Sequence, residues 1–223
     1  VVSIEGGRRK LTWPTTRIYV ASPPGADRDL VLVRGVEPSM RWRAYVSELL
    51  GLADELGVTT LVTLAALLAD VPHTRPIPVT GTSEHAAVQQ KLGVEASTYE
   101  GSTGIVGVLQ DSATAVGLPG LSLWAAVPHY VGQPPSPKAT LALLRRVEES
   151  LDLTVPLGDL PEDARAWEHG VDELAEEDGE IGAYVRQLED AKDTADLPEA
   201  SGEAIAREFE RYLRRRGDEP NRG

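Results

Sequence analysis

From Thr16 to Leu151 the chain alternates short β-branched runs with stretches of helical spacing, and this alternation limits its fold more than any other feature. Short apolar runs or two-residue alternation mark strands, whereas apolar recurrence at three and four residues marks helices. Strands are predicted at Thr16 to Ala21, Leu30 to Val33, Val58 to Leu67, Ile77 to Thr80, Ala96 to Tyr99 and Leu121 to Val127. Helices are predicted through Trp42, Val46, Leu49, Leu50, Ala53 and Leu56, then over Ser83 to Leu92, Thr103 to Val116 and Pro137 to Leu151. Ser39 is a candidate N-cap for the first helix, and Gly57 and Gly93 stand where a helix-ending glycine belongs. Such alternation implies an α/β fold with helices packed on the faces of a sheet. Val58 to Leu67 is apolar on both sides, which suits a buried central strand.

Composition narrows the chemistry. The 223 residues include no cysteine, which excludes a disulfide framework, zinc–cysteine sites, iron–sulfur clusters and a thiol nucleophile. No apolar run reaches the roughly 18 residues of a membrane span, and the first residues carry no signal-peptide pattern, so a cytoplasmic location away from membranes is expected. The formal net charge of −13 falls almost wholly after residue 150. Nucleic acid would demand a basic face, so it is not an expected partner.

The acidic part reads as helices only. Trp167, Val171, Leu174 and Ala175 form one stripe, Ile181, Tyr184, Val185 and Leu188 a second, and Ile205, Phe209 and Leu213 a third. Narrow apolar faces with strongly charged outer faces pack on a parent domain or on a partner. The expected division is an α/β domain over 1–155 and an acidic helical extension over 156–223, the latter offering a surface to a protein partner.

Candidate functional residues fall in loops after predicted strands. In a mostly parallel sheet these loops share the carboxyl edge, where open α/β sheets bind ligands. They contain Glu37, His73, Arg75, Glu100, Ser102, Thr103 and His129. In a ligand site, Arg75 would hold an anion, a histidine would move protons, and the helix start at Ser102 and Thr103 would stabilise negative charge. Each residue also has a structural role to weigh. The Gly101 to Gly104 loop matches neither a P-loop nor a dinucleotide fingerprint, so Ser102 and Thr103 read first as capping residues. His73 and His129 each follow a proline and can serve as loop hydrogen-bonders. Glu37 at a helix start complements a helix dipole. The four histidines never take the short helical spacing of a zinc site, and no Gly-x-Ser-x-Gly elbow is present, so no metal, cofactor or catalytic set is expected.

Four segments together carry a resemblance: Gly35-Val36-Glu37-Pro38 with Trp42 following, Leu68-Ala69-Asp70-Val71-Pro72-His73-Thr74-Arg75-Pro76, Tyr99-Glu100-Gly101-Ser102-Thr103-Gly104-Ile105, and Val127-Pro128-His129-Tyr130. In order and spacing, from about residue 12 to 150, they resemble the bacterial branch of the proteasome assembly chaperone 2 family. The resemblance implies a three-layer α/β/α sandwich of the phosphorylase/hydrolase-like type that self-associates, as a trimer. It also implies N-terminal elements, a strand, a loop and a helix, ahead of the first residue here. Two functions follow from different classes: a non-enzymatic oligomeric scaffold or assembly chaperone, and a binding protein or enzyme for an anionic or nucleoside-like small molecule.

Overall fold

The computed structural model describes residues 2–23 and 25–195, so the stripe through Ile205, Phe209 and Leu213 lies outside the described residues. Two hairpins come first. β1 (Val2–Glu5) pairs antiparallel with β2 (Arg8–Leu11), and β3 (Arg17–Ala21) with β4 (Leu30–Arg34). After α1 (Trp42–Glu55), the chain builds β5 (Leu61–Ala69), β6 (Val79–Thr82), α2 (Ala86–Leu92), α3 (Ile105–Ala115) and β7 (Gly120–Pro128). Three helices follow: α4 (Pro137–Leu151), α5 (Leu160–Glu177) and α6 (Gly179–Ala195).

β7 is the middle strand of a three-stranded sheet, parallel to β5 on one side and antiparallel to β6 on the other. Its side chains explain the place. Leu121, Leu123, Ala125 and Val127 are all buried on one face, against Val147 and Ala139 of α4, with Ile77 and Val94 closing the layer. On the other face a polar seam forms, where Gln110 of α3 donates to Thr63 Oγ1 and to the Leu121 carbonyl, both at 2.9 Å. Thr63 in turn donates to Ser122 at 3.1 Å. The mixed α/β class follows from these contacts.

Several sequence expectations change. The two-faced apolar strand near 58–67 is not central: among the described residues β5 lies at the sheet edge, leaving Leu64 and Leu68 47% and 60% exposed. Among the described residues strands β3 and β4 pair only with each other, as an antiparallel hairpin. The expected strand over Ala96 to Tyr99 does not form; one parallel bridge joins Thr82 to Glu95 just before it. Nor is the sheet mostly parallel. Since β6 runs against β7, the loop after it lies at the opposite end of the sheet, where Ser83 Oγ donates to the Gly120 carbonyl at 2.6 Å. Ser39 does not cap α1: Arg41 holds the N-cap position, with φ of 61°, and makes no side-chain cap bond. The glycines behave as predicted, with Gly57 and Gly93 at positive φ after α1 and α2.

Candidate functional site

The nine-residue parallel register of β5 and β7 ends with Ala69 beside Pro128, so the two Val-Pro-His tripeptides leave the sheet as neighbours. Proline fixes φ and has no N–H to give a ladder, which lets both segments turn away from the strands there.

His73 is 1% exposed and fully engaged. Its backbone N–H donates to the Tyr130 hydroxyl at 2.7 Å, its Nδ1 meets the same hydroxyl at 2.8 Å, and its Nε2 meets Asp172 Oδ1 of α5 at 2.9 Å. A phenol that accepts the backbone N–H has its own proton left for Nδ1, so the network assigns the tautomer with hydrogen on Nε2, donated to Asp172. Burial pushes the Tyr130 phenol up to about 12, so that proton stays in place well into alkali.

Around this contact a basic and aromatic loop end meets an acidic helical pair. Arg75 donates from Nε to Asp193 Oδ1 at 2.8 Å and from Nη2 to Asp193 Oδ2 at 2.7 Å, and from Nη1 to Glu189 Oε1 at 3.2 Å. The hydrogen bonds that Arg75 donates hold the Asp193 carboxyl below its usual range, and the same bonds raise the guanidinium. Thr74 donates to Glu189 as well. Lys138, near the start of α4, donates to the His73 carbonyl and to Glu168 Oε1, the latter at 2.6 Å. Asp70 accepts from Tyr184 at 3.2 Å and pairs with His129 at 3.1 Å. Burial, then the Asp70 hydrogen bond, raises the Tyr184 phenol. The rings of His129, Tyr130 and Tyr184 stack edge to face, with centroids 5.3 to 6.1 Å apart.

The structure thus brings His73, Arg75 and His129 to one place. Glu37, Glu100, Ser102 and Thr103 stand elsewhere, with no contact to that cluster among the described residues. Glu37 Oε1 accepts the Ile105 N–H at 2.7 Å, so a carboxylate from the loop before α1 caps α3. Ser102 and Thr103 precede that helix without capping it: its N-cap is Gly104 and makes no side-chain cap bond. Sequence reasoning passed over Tyr130, Lys138, Asp172, Glu189 and Asp193. The spacing of Glu189 and Asp193, one helical turn apart, is a signal for a shared cation that was present in the sequence.

A groove of about 440 Å³ opens beside the cluster, lined by His73, Thr74, Asp172, Glu173, Glu176 and Glu189 among others. Its four carboxylates outnumber the Arg186 that also lines it and disfavour an anionic guest, and Arg75 is already paired with two of the chain's own acids. Among the described residues no group of three His, Asp or Glu is arranged to hold a metal ion. What the geometry does well is fasten α5 and α6 to the end of the sheet.

A family model described as PAC2 matches residues 1–175. Among solved structures, a PAC2 family protein from Streptomyces avermitilis is 57% identical, with a TM-score of 0.76, covering 83% of this chain and 78% of its own. A proteasome-assembly chaperone homologue from Mycobacterium tuberculosis is 52% identical, with a TM-score of 0.75 and coverage of 83% and 79%. A protein of unknown function from Corynebacterium glutamicum is 27% identical, with a TM-score of 0.76 and coverage of 90% and 74%. No curated protein matches the chain. The family model over most of the sequence and the two structures at more than half identity agree with the paired Val-Pro-His segments, and the chain belongs to the PAC2 family.

Proposed function

We propose that this protein is an assembly-chaperone-like scaffold that works through protein–protein contacts as an oligomer, a trimer on the family pattern, in the cytoplasm. The observation that carries the reading is the 52% identity, over most of both chains, to a proteasome-assembly chaperone homologue. The fold supports it in a second way. The charged loop end that a small-molecule site would use is spent on the chain's own helices, so the surface left for function is protein surface. On this reading residues 1–155 form a three-layer α/β/α domain, and the acidic residues after 156 form an extension that meets partners. No helix among the described residues is long and apolar enough to cross a membrane.

The test is reconstitution. Purified chain is mixed with unassembled proteasome subunits from the same source, and ring formation is followed by native mass spectrometry. A complex between the chain and subunits, with faster ring formation, is expected. Unchanged assembly kinetics with no complex would overturn the reading.

A further inference from the structure

Arg17 and Arg34 are directly opposite each other across the β3–β4 hairpin, and both are exposed. Side chains directly opposite on an antiparallel pair share a face, and like charges there weaken the hairpin. Neither arginine has an acidic partner among the described residues. The next pair on the same face, Tyr19 and Leu32, adds exposed apolar surface, 46% and 49% exposed. A two-stranded hairpin alone in water is marginal. A face that combines an unpaired cationic couple with uncovered apolar side chains is complementary to an acidic surface that also carries an apolar residue.

The same chain supplies one. Where α5 turns into α6, Glu176, Glu177 and Glu180 are exposed without a side-chain partner among the described residues, and Leu174 beside them is 40% exposed. We propose that the Arg17–Arg34 face of one copy docks on the acidic α5–α6 turn of a second copy. Two different surfaces then meet, so the contact is heterologous and closes a ring where its rotation returns to the first copy, as in the trimer proposed above. The inference rests on the oligomeric reading above and names the surfaces that make the oligomer.

The experiment is light scattering after size exclusion, at about 0.05 M and about 1 M salt, where exposed charges are weakly and strongly screened. The natural chain is expected to associate at low salt, at least tenfold more tightly than at high salt. Arg17→Glu with Arg34→Glu should dissociate it, as should Glu176→Lys with Glu177→Lys. All four substitutions in one chain restore complementary charges and should restore the oligomer. Circular dichroism establishes that each variant is folded. A monomer at every salt concentration, a double variant that associates normally, or a folded quadruple variant that stays monomeric would each overturn the proposal. The reconstitution assay separates the two readings: subunit binding by a monomeric chain would leave the chaperone role standing and remove this interface, and a ring without subunit binding would do the reverse.

Discussion

Arg75 and Asp193, 118 residues apart in sequence, form a two-pronged ion pair that joins the loop after β5 to the end of α6. Bidentate pairing matches the planar guanidinium to the carboxylate fork and fixes orientation as well as distance. Glu189, one turn earlier, takes the third nitrogen, so α6 is gripped along one face. The loop that reads in sequence as an anion site is the clasp for an acidic helix.

His73 is the buried member of that clasp. Replacing it with alanine keeps the backbone N–H bond to Tyr130 but leaves the Tyr130 hydroxyl proton and the Asp172 carboxylate without the imidazole, and opens a cavity, a loss of about 3 kcal/mol in unfolding free energy. Urea denaturation of His73→Ala measures it. A variant as stable as the natural chain would show that the Tyr130–His73–Asp172 chain contributes nothing to folding.

Acid should loosen the clasp. The Asp193 carboxyl is held below its usual range by Arg75, so its stabilisation is complete above the unfolded pKa of about 4 and is lost as pH falls through the lower folded value. Thermal unfolding followed from pH 6 to pH 3 should therefore show a steeper acid loss in the natural chain than in Asp193→Asn, which has no proton to take up.

Alkali acts at a different residue. Burial raises Tyr130 to about 12 against about 10 in an unfolded chain, so stability is intact below pH 10 and falls as pH rises toward 12. Phenolate absorbance during alkaline titration should show Tyr130 ionising last, after a delayed Tyr184, and Tyr130→Phe should remove that last step.

Glu37 has a role apart from the cluster. Its carboxylate accepts the first amide of α3, where the helix dipole favours negative charge, so Glu37→Ala should cost about 1 kcal/mol and fray the start of α3. Glu37→Gln keeps the acceptor and should recover part of the loss. Equal losses in both would assign the effect to charge alone.

Much of this was legible in sequence for a physical reason. Periodicity placed β7, α1, α4 and the apolar stripes of α5 and α6, because side-chain burial is written at fixed spacing. The repeated Val-Pro-His was readable as an echo, and the parallel register of β5 with β7 makes the two copies neighbours. Partnership across the sheet was not legible. Nothing local distinguishes Asp172 or Asp193 from the other acids of the helical part; their identity as the partners of His73 and Arg75 depends on how α5 lies on α4 and α6 on α5. The reversal of β6 was equally hidden, because a four-residue strand carries no mark of its direction.

The most direct measurement is hydrogen exchange, read by mass spectrometry, on the natural chain and on Arg75→Ala. If the loop is a clasp for the acidic helices, peptides from α6 exchange faster in the variant, while those from β5 and β7 keep their protection. Unchanged exchange in α6, together with a thermal shift on adding inorganic phosphate that Arg75→Ala abolishes, would contradict the clasp and return Arg75 to an anion site.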